Sequence, residues 1–191
     1  FRSVPMQDLL NEAKRLASEG VKELVLVAQE TTLYGKDLTG EKQLPLLLHE
    51  LCKIEGIEWI RLLYCYPEEI TDELIKVIKT EEKVCNYIDM PIQHSENRIL
   101  QRMGRRTSRE DLVAVIKKLR QEIPDITIRT TLITGFPGES EEDHEGLMNF
   151  VEECKFDRLG VFTYSPEEDT LAATFEDQID EEVKEERRDE L

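Results

Sequence analysis

Short β-branched apolar runs alternate with longer amphipathic stretches along almost the whole chain, and this alternation restricts the fold more than any other feature. From residue 5 to 19, Met6, Leu9, Leu10, Ala13, Leu16 and Ala17 recur at helical spacing, and Gly20 ends the pattern. Residues 21–28 follow as a nearly continuous apolar run, the signature of a parallel strand covered on both faces. A polar loop over 29–43 leads to a helix over 44–55, a strand over 59–64 and a helix over 71–80 capped by Thr71. A third strand over 87–90 passes through Pro91 into a short helix after Ser95. Thr107 and Glu110 are spaced as a capping box for the next helix. Strands over 126–133 and 159–162 then flank a helix over 141–154, with Ser140 and Asp143 placed to cap it.

Strands alternating with helices imply βαβ units and a parallel sheet, either closed toward a barrel or open and doubly wound. Polar residues inside the strands favour the barrel. Period two places Ile126, Ile128, Thr130 and Leu132 on one face and Thr127, Arg129 and Thr131 on the other. An apolar face against helices and a polar face toward a lumen suit a barrel with an internal site. Arg61 and Asp89 also interrupt apolar strands, so Arg61, Asp89 and Arg129 are expected to form a lumenal network. In either closure a ligand belongs at the carboxyl ends of the strands.

The formal net charge is −17, with 42 acidic against 25 basic residues over 191. A nucleic-acid surface needs clustered Lys and Arg, so a basic protein partner suits this field better than RNA. The four cysteines, Cys52, Cys65, Cys85 and Cys154, have neither a disulfide nor a metal-cluster spacing, and no metal ligands are assigned. No apolar run is long enough for a transmembrane helix. The first residue is Phe1 and the last residues are an unfinished charged run, so a piece of a longer polypeptide is expected.

The stretch Gly135-Phe-Pro-Gly138 lacks the lysine and the glycine spacing of a phosphate loop. Glu139, Glu141 and Glu142 oppose an anion at the helix that follows. Taken alone it is a tight turn and a helix cap. His94, at a strand end, is a candidate acid, base or ligand, whereas His49 and His144 sit on helices. No Ser-His-Asp or Cys-His arrangement can be assembled.

Together, Val27-Ala-Gln-Glu-Thr-Thr-Leu-Tyr-Gly35, Leu63-Tyr-Cys-Tyr-Pro-Glu-Glu-Ile70, Pro91-Ile-Gln-His94, Arg98-Ile-Leu100 and Thr131-Leu-Ile-Thr-Gly-Phe-Pro-Gly-Glu139 resemble the methylthiotransferases of the radical S-adenosylmethionine superfamily. The match is nearer the branch that modifies a small-subunit ribosomal protein than the tRNA-modifying branch. The resemblance spans essentially the whole chain. It implies an α/β fold, a partial TIM-type (β/α)6 radical-SAM barrel, here without its first strand. It also implies S-adenosyl-L-methionine beside a [4Fe–4S] cluster, with two clusters in the full-length protein and their cysteine ligands outside this chain. By position, Gln29 and Glu30 would meet the methionine amino group, and Gln93, His94 and Ser95 the ribose. Arg129 and Thr131 would lie near the carboxylate, Gly135 would shape the floor, and Phe162 and Tyr164 would meet the adenine. Ser95-Glu-Asn97 departs from the family's commoner Cys-Ser-Asp. No residue is assigned as a catalytic acid or base.

The implied organisation is a barrel core over 1–166, incomplete at its start, and an acidic segment or linker over 167–191 leading toward a TRAM domain, with 180–191 read from its composition as a solvated helix or linker. The implied activity joins a methylthio group to the β-carbon of an aspartate in a basic small-subunit ribosomal protein, with this piece inactive by itself. A cytoplasmic monomer that touches neither membrane nor nucleic acid through this piece is expected. The alternatives are a tRNA adenosine methylthiotransferase, a non-radical phosphate-binding β/α-barrel enzyme, and an acidic docking domain for a basic protein.

Overall fold

The computed structural model describes residues 2–191 and divides into two compact units. The first comprises the chain through Met90 together with Lys118–Thr127, and the second Pro91–Lys117 with Ile128–Leu191.

In the first unit, α1 (Met6–Ser18) precedes β1 (Glu23–Leu26), α2 (Lys36–Thr39), α3 (Leu44–Cys52), β2 (Trp59–Leu62), α4 (Asp72–Thr80) and β3 (Val84–Asp89). The strands pair parallel in chain order, β1 with β2 in the register Leu24 to Ile60 and β2 with β3. Such sequential winding belongs to a (β/α) barrel, whereas a doubly wound sheet reverses its strand order. Helix α3 packs against α1 and α4, and Leu48, Leu51, Ile60, Leu62, Ile78 and Ile88 are buried. Burying each such side chain stabilises by about 1.5–3 kcal/mol. Thr71 caps α4 by accepting the Leu74 N–H at 3.2 Å.

Two expectations are corrected in this unit. Only one face of β1 is covered: Leu24 is buried, but Val25 and Val27 are 46% and 60% exposed. An apolar run shows that two faces are fit for burial, not that both find a neighbour. Arg61 is not held by Asp89 but pairs with Glu23 on β1 at 2.7 Å and lies over the Tyr87 ring. The Asp89 carboxylate accepts the Tyr64 N–H at 3.0 Å, which fixes Tyr64 at a φ of 56°.

In the second unit, α5 (Asn97–Arg102) and the start of α6 (Arg109–Glu122) precede β4 (Thr127–Thr134), α7 (Glu141–Cys154), β5 (Arg158–Thr163) and α8 (Glu181–Glu190). Strands β4 and β5 pair parallel from Arg129–Arg158 to Thr134–Thr163. Burial alternates along β4 as period two requires, with Ile128, Thr130 and Leu132 inside. Gln93 extends the pairing: its N–H donates to the Thr131 carbonyl and its carbonyl accepts the Ile133 N–H. Ser140 and Asp143 form the expected capping box on α7, whose Leu147 and Phe150 are fully buried. The box before α6 is displaced by one residue. Ser108 and Asp111 exchange the hydrogen bonds, not Thr107 and Glu110, because both pairs have the three-residue spacing.

Most residues of α8 are exposed, but one face is not. Lys184 and Arg187 on it are buried. Their charges are matched inside the unit, which composition cannot reveal.

Candidate functional site

The strand ends of the second unit open on a cavity of about 620 Å³ lined by Gln93, Thr131, Ile133, Phe162 and Tyr164, with Leu171 on its rim. Gln93 reaches it from a backbone φ of 71°, a conformation uncommon outside glycine that is held by its two hydrogen bonds to β4. Its side-chain oxygen is buried and has no hydrogen-bond partner. Thr131 presents its face of β4, with the Arg129 guanidinium 3.4 Å from its Oγ1. The Tyr164 ring meets Phe136 edge-on at 5.2 Å, and burial raises its phenol pKa. Phe162 is 58% exposed, an apolar ring facing outward at a strand end.

Of the residues of this unit expected at the site, Arg129, His94, Ser95 and Gly135 do not line the cavity. The chain turns at Gln93 through a positive φ of 71°, and His94 leaves away from the cavity that Gln93 lines. The His94 ring is fully buried, accepts the Glu96 N–H at Nδ1 and places Nε2 3.4 Å from Glu139. That bond puts the neutral ring's proton on Nε2. Ser95 is buried, donating to Glu96 and meeting Arg109. Gly135 turns at a φ of 69° under Lys184 and is not part of the cavity wall.

The first unit has its own cavity, about 380 Å³, at the end of β1, lined by Val25, Val27, Glu30, Thr31 and Tyr34 among others. Glu30 is buried there; its Oε1 accepts from the Thr32 N–H at 2.8 Å and from the Thr32 hydroxyl. Its Oε2 is buried without a partner in hydrogen-bond geometry. Burial pushes the carboxyl pKa up, against the Thr32 donors and the Tyr66 backbone N–H that lower it. Gln29 is exposed and outside the cavity wall. Among the described residues no group of three or more His, Cys, Asp or Glu side chains could hold a metal ion, and no helix is long and apolar enough to cross a membrane.

The raised Glu30 pKa sets a pH dependence. The folded chain holds this proton more tightly than the unfolded chain, so ionisation opposes folding. The penalty is absent at acid pH and grows as pH rises from the ordinary carboxylate range through the raised folded value. Glu30→Gln keeps an acceptor for Thr32 but does not titrate. Urea denaturation will show its stability relative to the parent chain improving from acid to neutral pH. An offset that stays constant with pH would contradict this.

The residues that sequence reasoning missed are Glu139, Lys184 and Arg187, all buried beside the Gly135 turn. The signal was present for Glu139, an acid directly after a glycine turn, but its cation lies 48 residues further along.

The model described as Radical SAM superfamily matches residues 1–151. The chain is 64% identical to "Ribosomal protein uS12 methylthiotransferase RimO" of Lachnoclostridium phytofermentans and 59% identical to the protein of that name from Clostridium perfringens. Each alignment covers all of this chain and 43% of the relative, so the chain spans less than half the length of these curated relatives. Among solved structures, the radical S-adenosylmethionine methyltransferase TsrM from Kitasatospora setae superposes with a TM-score of 0.66 at 17% identity, over 83% of this chain and 31% of that one. Streptococcus suis SuiB bound to S-adenosylmethionine gives 0.63 at 15%, over 99% and 40%. At that identity these two show the fold alone, a parallel α/β arrangement in agreement with the partial barrel. The chain belongs to the radical SAM superfamily.

Proposed function

We propose that the chain is the barrel portion of a methylthiotransferase that joins a methylthio group to the β-carbon of an aspartate in ribosomal protein uS12, with the adenosine part of S-adenosylmethionine in the second-unit cavity. The observation that carries the cofactor assignment is Gln93, a buried amide oxygen with no partner opening on a cavity with Thr131, Phe162 and Tyr164. A buried acceptor requires a donor, which a ribose hydroxyl or an adenine amine provides. The exposed Phe162 ring offers a face for the base to stack on. These residues fit an adenosine group.

Gln29 and Glu30 keep their role at the amino group on resemblance alone. Arg129 keeps its role at the carboxylate on resemblance alone. Bound beside an iron–sulfur cluster, S-adenosylmethionine supplies the radical that removes hydrogen from an unactivated C–H bond. The residues of this chain do narrower work. Gln93 and Thr131 fix orientation, and Phe162, Tyr164 and Leu171 cover apolar surface and exclude water. No side chain is given a proton-transfer role.

The target follows from the relatives' name, and the net charge of −17 suits a basic ribosomal protein better than tRNA. The rest of the proposal is a cytoplasmic monomer with two [4Fe–4S] clusters held outside these residues, and a segment over 167–191 that leads toward a TRAM domain. This part makes no nucleic-acid contact.

Calorimetry on the full-length protein with S-adenosylhomocysteine tests the cavity assignment. Gln93→Ala removes one buried hydrogen bond and will weaken binding about tenfold. Unchanged affinity would take Gln93 out of the site.

A further inference from the structure

Helix α8 is polar in composition, yet Lys184 and Arg187, three residues apart and so on one face, are both buried. Lys184 Nζ donates to the Tyr164 carbonyl at 3.1 Å and pairs with Glu181 at 2.6 Å. Its methylene stem fills the notch that Gly135 leaves by lacking a Cβ. Arg187 donates to the Glu139 carbonyl at 3.1 Å and to Glu139 Oε1 at 2.9 Å. The second oxygen of that enclosed carboxylate accepts the Gly135 N–H at 2.9 Å. The two basic side chains therefore hold both ends of the turn from Gly135 to Glu139, and the end of β5 as well. The segment before α8 grips the same turn: the Asp177 carbonyl accepts the Gly138 N–H at 2.8 Å, and Phe175 meets Phe136 edge-on at 6.3 Å.

We propose that α8 is a latch on the cofactor cavity. Glu139 and Arg187 are positioning residues: their ion pair fixes the turn after β4 and, with Lys184, the Tyr164 end of β5, so that affinity for an adenosine ligand depends on a helix that does not touch it. Neither side chain lines the cavity, but Phe136 and Tyr164 do, and each is attached to an element the latch holds. This rests on the cofactor assignment above, and the test separates the two.

The experiment uses the full-length protein in four forms: parent, Arg187→Met, Arg187→Lys and the double variant Glu139→Gln/Arg187→Met. The double variant guards against misfolding, since removing both buried charges costs far less than stranding one. Hydrogen exchange of residues 134–139 without ligand reads the latch, and calorimetric binding of S-adenosylhomocysteine reads its coupling to the cavity. Arg187→Met should speed exchange across that turn and weaken binding about tenfold, within the usual range of coupling between sites. Arg187→Lys should recover part of both, and the double variant should still bind more weakly than the parent. Unchanged exchange in Arg187→Met and in the double variant would overturn the latch. Faster exchange with unaltered affinity would overturn its coupling to the cavity. If the parent protein binds no S-adenosylhomocysteine, the cofactor assignment fails, while the exchange data still decide whether α8 holds the turn.

Discussion

Glu139→Ala will destabilise the protein by about 3–5 kcal/mol, because it removes the one buried carboxylate that faces the Arg187 guanidinium. The Glu139 side chain is fully enclosed, and it receives the Gly135 N–H and Arg187 together, with the Thr134 hydroxyl at 3.4 Å. Alanine leaves the Gly135 amide without its carboxylate acceptor and Arg187 with the Glu139 carbonyl and the exposed Glu141. A loss of that size lowers the thermal midpoint by roughly 10 °C in a domain of this length. Glu141→Ala is the control. Glu141 meets the same guanidinium at 3.2 Å but is 73% exposed, and an exposed pair contributes about 0–1 kcal/mol. Equal midpoints for the two variants would show that the buried carboxylate contributes nothing special.

The second large effect is expected at Gly135, from backbone and packing together. At a φ of 69° an alanine costs about 1–2 kcal/mol, since its Cβ crowds its own backbone. That Cβ would also overlap the Lys184 stem, and overpacking of a buried site adds about 1–3 kcal/mol. Gly104 separates the two contributions: its φ is 73°, but nothing lies within 4 Å of a Cβ built there. Chemical denaturation should find Gly135→Ala the costlier substitution by the packing increment. Equal costs would mean that Lys184 moves aside freely and that the notch does not seat α8.

Periodicity recovered the strands, their parallel pairing and the longer helices, because strand and helix signals differ in repeat, but the short α2 lies in the stretch read as a polar loop. The cap on α7 was legible at residue level, since Ser140 and Asp143 are the only pair with that spacing before the helix. At α6 two overlapping pairs carry the spacing, and sequence selects neither Thr107 nor Ser108. Gln93, Thr131, Phe162 and Tyr164 meet at one cavity as the strand-end rule suggests. His94 and Ser95 do not, because proximity in sequence at a strand end says nothing of the side on which each residue leaves. The burial of Lys184 and Arg187 was illegible for a different reason. A cation is buried only where its partner is, and Glu139 becomes that partner only once β4 has turned at Gly135.

The proposed action on uS12 through S-adenosylmethionine can be read in a single assay. The full-length protein, with its iron–sulfur centres reconstituted anaerobically, is reduced and given S-adenosylmethionine and a sulfide source, with uS12 or tRNA offered in parallel. Mass spectrometry then reads 5′-deoxyadenosine and any methylthio group on either macromolecule. 5′-Deoxyadenosine and a methylthio group on an aspartate of uS12, with tRNA unmodified, are expected. A methylthio group on tRNA with uS12 unmodified, or no 5′-deoxyadenosine with either, would contradict the proposed action.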